Sequence, residues 1–181
     1  MSDRFSGKSE NNVSDPETEG DDSRKPQVYK SVRKRRAARL AAVQALYQIE
    51  MNKASPEAVI LEFLKYRTDE EIEGYSLGEV DQQLFTELVR GVLREASDLD
   101  DMLAAVISEG WQVERLEFLL RLILRAGTFE IGHRTDFPAK AAINEYVDLA
   151  HDFFNDREPS MVNGMLDQIA RSLRPEEFEA G

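Results

Sequence analysis

Residues 114–131 read ERLEFLLRLILRAGTFEI. Leu116, Leu119, Leu120, Leu122, Ile123 and Leu124, followed by Phe129 and Ile131, leave almost no polar face. A segment of helical length that is apolar nearly all round predicts the central helix of a helical domain, because a one-sided stripe would suffice for a surface helix. On its C-terminal side, His133–Pro138 reads as a turn. A helix over 138–154 follows, with Ala142, Ile143, Tyr146, Val147, Ala150 and Phe154 inward. Residues 155–159 break the pattern. Ser160 then caps a last helix carrying Val162, Leu166, Ile169 and Leu173, which Arg174-Pro175 ends.

The same reading extends toward the N-terminus. Asp98 opens a short helix with Leu99, Met102, Leu103, Val106 and Ile107, closed by Gly110. Asp81 caps another, with Leu84, Phe85, Leu88, Val89 and Val92 on its stripe. Gly91 inside that helix is unfavourable by about 1 kcal/mol against alanine, so it predicts a close helix–helix approach. Residues 68–79 form a polar, acidic loop. Ser55-Pro56-Glu57 is a start signal for a helix with Val59, Ile60, Phe63 and Leu64. Ser31 caps a first helix over 32–52, whose stripe is Leu40, Val43, Leu46, Tyr47 and Met51. No segment holds a period of two. The expected class is all-α: a single bundle-like domain of about seven helices over 31–175, with a C-terminal tail at 176–181. Residues 1–30 are rich in Ser, Asn, Asp, Glu and Gly and bury too little apolar surface to offset ordering, so they are expected to be disordered.

The 181 residues include no cysteine and two histidines, His133 and His151. Thiolate chemistry and disulfides are excluded, and His-based metal or acid–base centres find almost no material. No Gly-rich phosphate loop, His-Glu-x-x-His pattern or nucleophile elbow occurs. Acidic pairs such as Glu70-Glu71 and Asp100-Asp101 read as solvated faces. The expectation is a protein without catalytic activity, metal or cofactor. No signal peptide or membrane span is legible, so a cytoplasmic location is expected.

The net charge is −12 but unevenly spread. Residues 1–23 carry −5, residues 24–39 carry +8 with no acid, and the remainder carries −15. Five basic residues, Arg33, Lys34, Arg35, Arg36 and Arg39, crowd the start of the first helix. Cations there oppose the helix dipole by roughly 0.3–1 kcal/mol each. A helix shaped for stability alone would begin with acids. Guanidinium groups beside free backbone N–H donors suit phosphate, so this segment reads as a site for nucleic acid. Tyr47, farther along the helix, offers a ring to a base or to an interface.

Four stretches then carry a resemblance. They are Arg35-Arg36-Ala37-Ala38-Arg39-Leu40-Ala41-Ala42-Val43-Gln44-Ala45-Leu46-Tyr47-Gln48, Leu124–Ile131, Phe137–Glu145 and Met161–Arg171. In this order and spacing, they resemble the family of the transcription antitermination factor NusB over about 33–174. The resemblance implies an all-helical fold and no enzymatic activity. It implies binding to single-stranded boxA-like RNA, jointly with the ribosomal small-subunit protein that serves as NusE, within a transcription complex on ribosomal RNA operons. It implies RNA contacts at Arg33, Lys34, Arg35, Arg36 and Arg39, and at Ser160, Met161 and Asn163, where Met161 replaces a commonly aromatic residue. Tyr47, Gln44 and Leu120 fall toward the partner protein, Leu120 standing where many relatives carry an acid. The family includes monomers and homodimers. Two rival readings are a helical protein–protein adaptor and a stand-alone relative of the RNA-binding module of ribosomal RNA methyltransferases.

Overall fold

The computed structural model describes residues 24–66, 71–72, 75–76, 80–109, 112–155 and 157–179. Seven α-helices lie among the described residues: α1 (Arg24–Asn52), α2 (Pro56–Tyr66), α3 (Gln82–Arg94), α4 (Ala96–Val106), α5 (Phe118–His133), α6 (Ala139–Phe153) and α7 (Arg157–Leu173). The all-α expectation is met. None of the described helices is long and apolar enough to cross a membrane.

The most apolar segment is the central one. Helix α5 packs against α1, α3, α4, α6 and α7. Its residues Leu122, Ile123, Leu124, Ala126 and Ile131 are wholly buried. A one-sided helix could not satisfy five neighbours, which is why polar residues are confined to so few positions here. Gly91 is explained by the same packing. A methyl group at that position would lie 2.0 Å from Cζ of Phe129 on α5, so only glycine permits this approach of α3 to α5.

Helix ends follow the caps in part. Asp81 caps α3 as expected, its carboxylate accepting from the Leu84 N–H at 3.0 Å. Helix α1 ends where Lys53 turns left-handed (φ 51°) and the Ala54 N–H closes onto the Ile49 carbonyl at 3.1 Å. Four starts differ from expectation, that of the central helix among them: α5 begins at Phe118, four residues after Glu114. Helix α1 begins at Arg24, so Ser31 lies inside it, and residues 24–30 of the expected tail are helical; residues 1–23 lie outside the described residues. Helix α7 begins at Arg157, so Ser160 also lies inside. The physical reason is shared: Pro26 and Pro159 fall in first turns, where the missing N–H has no intrahelical partner to lose. Helix α4 begins at Ala96, two residues before Asp98, with only Glu95 separating it from α3. Gly110 lies outside the described residues, α4 having ended at Val106.

Within the expected 68–79 loop, strands β1 (Glu71–Ile72) and β2 (Tyr75–Ser76) form a minimal antiparallel ladder, Glu71 opposite Ser76 and Ile72 opposite Tyr75. Two-residue strands carry no period that a sequence could display. A 3-10 turn at Val113–Arg115 leads into α5, and another at Pro175–Glu177 folds the C-terminal segment back. There Glu177 accepts from the Ala139 N–H at 2.7 Å, which satisfies a free donor at the start of α6. Arg174 is buried and donates to the carbonyls of Phe137 (2.8 Å) and Arg134. The turn before α6 and the end of α7 are thereby held together.

Candidate nucleic-acid interface

The basic stretch expected at the start of the first helix lies from the tenth residue of α1 onward, where backbone N–H groups are bonded within the helix and the helix dipole no longer acts. The expected free N–H donors are therefore absent beside these cations, nor is the stretch one surface. A helix advances 100° per residue, so the five cations fan out around its axis. Arg33 is exposed, Lys34, Arg35 and Arg36 are half-buried, and Arg39 is 2% exposed. From Ala37 to Leu46 α1 is core, half-buried Gln44 apart.

Arg39 therefore corrects the expectation that it contacts RNA. Its Nε and Nη2 donate to both carboxylate oxygens of Glu130 on α5, at 2.9 and 2.6 Å. Its Nη1 donates to Glu145 on α6 at 3.1 Å. The Tyr146 hydroxyl donates to the same Glu130 at 2.8 Å, and the Phe137 ring lies 5.1 Å from the guanidinium. Burial opposes the Arg39 charge, but the hydrogen bond and charge of Glu130 outweigh it, and its pKa rises. Burial pushes the Tyr146 phenol well above its ordinary value, with the Glu130 charge adding and Arg39 partly opposing. Each nitrogen of this guanidinium already donates to a carboxylate, and at 2% exposure the group is out of a phosphate's reach. A signal for it existed: Glu130 is the lone acid of the α5 segment, and a buried carboxylate demands a cation.

The other cations face outward. The Arg35 guanidinium lies 5.6 Å from the Phe137 ring centroid, sharing that ring with Arg39. Arg36 reaches α6, its Nη1 to Asp148 at 3.4 Å and its Nη2 to Asp152 at 3.3 Å. The Lys34 carbonyl accepts from the Asp81 N–H at 3.2 Å, which ties this stretch of α1 to the start of α3. Phe137, Asp148 and Asp152 were not singled out from sequence. The two aspartates sit four apart on one face of α6, a spacing that marks them as neighbours but names no partner.

The remaining expected residues fall in two places. Ser160 is exposed and Met161 half-buried; both line a groove of about 750 Å³ with Arg157, Leu116 and Leu120. Asn163 is exposed on the same helix. Leu120, expected to fall toward the partner protein, is 3% exposed and forms part of the groove wall, so a partner reaches it only by entering the groove. Its aliphatic side chain gains more from burial than from water. Tyr47 lies elsewhere, 41% exposed, with its ring 5.5 Å from Phe118 at the start of α5. The Arg121 guanidinium lies 5.6 Å from the same Phe118 ring centroid. Gln44 is half-buried and its Oε1 has no hydrogen-bond partner. Asp100, read from sequence as a solvated acid, instead takes Arg125 in a two-pronged pair at 2.7 and 2.6 Å, with Glu50 of α1 at 3.1 Å.

Comparison with known proteins finds relatives in both sequence and fold. The profile described as "NusB family" matches residues 36–171. The transcription antitermination protein NusB of Rhodopseudomonas palustris (strain BisB18) is 40% identical over 156 residues, covering 86% of this chain and 92% of that protein. Among solved structures, T. maritima NusB superposes with a TM-score of 0.64 at 28% identity, covering 80% of this chain and 96% of that one. A chain in the crystal structure of antitermination factors NusB and NusE in complex with dsRNA shares the fold, with a TM-score of 0.61 at 20% identity over 76% and 96% of the two chains.

Proposed function

The chain belongs to the NusB family, and from that premise we propose that it binds single-stranded boxA-like RNA jointly with a NusE-type ribosomal protein. Its relatives are transcription antitermination proteins, and it is a transcription antitermination factor of that kind rather than an enzyme. In this reading Arg33, Lys34, Arg35 and Arg36 meet the phosphates. Ser160, Met161 and Asn163 form a second RNA contact, with Met161 packing on a base face. The partner protein meets the Tyr47–Phe118 cluster beside Gln44. The work is done in the cytoplasm, on nascent ribosomal RNA transcripts.

The observation that carries the reading is the basic stretch of α1. Four consecutive cations, residues 33–36, stand on α1 just before it enters the core, in a protein of net charge −12. Within this stretch the arginine that serves the fold, Arg39, is set apart from them by burial. The solved NusB–NusE assembly with dsRNA supports the choice of partners for a chain of this fold.

Titration of labelled boxA-like and scrambled RNA, with and without the NusE-type protein and across salt, tests the proposal. Four phosphate contacts at roughly 0.7 each give a log–log salt slope near −3. RNA and partner protein are expected to raise each other's affinity by the same factor. Capture of the partner with no RNA binding at low salt would leave a protein–protein adaptor.

A further inference from the structure

We infer that Asp148 and Asp152 are built-in competitors of RNA: they occupy Arg36 where a phosphate would, and so lower the affinity of this face for any RNA. The inference rests on the RNA-binding reading of the α1 cations and concerns how that site is tuned.

The geometry is that of a replaceable contact. Each aspartate takes a different terminal nitrogen of Arg36, at 3.4 and 3.3 Å. The Arg36 side chain is 30% exposed and that of Asp148 is 56%. Long, water-exposed pairs of this kind contribute about 0–1 kcal/mol to stability. The fold therefore has little to gain from holding them. Three residues on, Arg39 shows what a structural pair looks like in this protein: two-pronged, 2.6–2.9 Å, and 2% exposed on both partners.

The chemistry makes carboxylate and phosphate interchangeable at Arg36. A guanidinium presents a planar fork of donors that fits the oxygens of either anion. Asp148 and Asp152 lie four apart on one face of α6, so their carboxylates meet the two terminal nitrogens together. An incoming phosphate must displace them and then remain near two uncompensated negative charges. Both effects oppose binding. Because the aspartates sense phosphate rather than base, they weaken boxA-like and scrambled RNA by the same factor. On a protein that must ignore most of the transcript, such a uniform penalty removes binding that rests on phosphate contacts alone, while an RNA with added base contacts still binds.

The experiment measures RNA affinity of full-length Asp148→Asn/Asp152→Asn, in the presence of the NusE-type protein, with both RNAs at low and high salt. A three- to tenfold tightening at low salt is expected for both RNAs, shrinking as salt rises, with a salt slope steeper by up to about 0.7. The same substitutions in an Arg36→Ala background are expected to tighten binding by a smaller factor. Asp148→Asn alone, at the more exposed position, provides the reading should the double variant fold poorly. Unchanged or weaker affinity overturns the inference, and so does an undiminished gain in the Arg36→Ala background, which would mean general repulsion without competition at Arg36. If the native protein binds neither RNA, the functional reading itself falls, and this inference with it.

Discussion

Arg36 and Arg39 stand three residues apart on one helix and share a side chain, yet they belong to different parts of the molecule. Arg36 is loosely held by two aspartates at the surface. Arg39 is locked onto Glu130 and Glu145 in the interior, 91 residues along the chain from its main partner. Successive arginines in one motif are thus not one functional unit. Three steps of 100° turn a side chain from the rim of the core into it, and the available partner decides its role. The same division repeats at Arg125, whose pair with Asp100 and Glu50 joins α5 to α4 and α1, so a second cation of the motif-rich segments serves the fold.

The sharpest way to break this contrast is Arg39→Ala. It strands the Glu130 carboxylate among buried groups, and a loss of about 3–5 kcal/mol is expected on removing one partner of a buried pair. Denaturant unfolding checks it, and a loss below about 1 kcal/mol would place Arg39 with the surface cations. RNA affinity of whatever fraction remains folded is expected to change little.

Arg125→Ala is expected to lose less, about 1–3 kcal/mol, since its carboxylate partners are only partly buried and regain water. The check is again the unfolding midpoint, read against Arg39→Ala. A loss equal to that of Arg39 would show that burial of the partner carboxylate is not what separates the two.

Tyr146→Phe sharpens the interior side through pH. It removes the hydroxyl donor to Glu130, an effect of about 1–3 kcal/mol at neutral pH. The Tyr146 phenol has its pKa raised by burial, so it stays protonated in the fold where the unfolded phenol ionises. Stability attached to this group is complete below the unfolded pKa of about 10 and is lost as pH rises beyond it. The phenylalanine variant should show a shallower alkaline decline than the native protein. Equal slopes above pH 10 would mean that Tyr146 titrates as freely folded as unfolded.

Arg36→Ala is expected to have the smallest effect on stability, at most about 1 kcal/mol and of either sign, because an exposed pair is lost while alanine favours the helix. Its effect belongs to RNA binding, with the salt slope flattened by about 0.7. A large drop in the thermal midpoint with unchanged RNA affinity would reverse the assignment of the two arginines.

Much of the fold is legible in the chain. The apolar run over 116–131 marks the central helix because a segment without a polar face has nowhere to go but the interior. Asp81 and Gly91 are equally readable, one as a cap and one as a close approach, since each acts through its own backbone or its own missing methyl group. The first-turn proline at 159 misleads, because proline breaks a helix only where its N–H would have been bonded. At the candidate site, the concentration of charge over 24–39 points to an anionic partner. The roles of Arg39, Asp148 and Asp152 do not emerge, because their partners lie far away in sequence.

By itself, then, the sequence determined what depends on near neighbours along the chain: helical class, the central element, most of the helices, and a basic segment in an acidic protein. It also carried enough of the family's motifs, in order, to place the chain among NusB relatives. Tertiary structure alone decided which arginine became a strut and which stayed at the surface. It alone brought Leu120 of α5 beside Ser160 and Met161 of α7 in one groove. The physical reason is that periodicity and capping act over a few residues, whereas the partnering of a charge depends on which helices the shared core brings together.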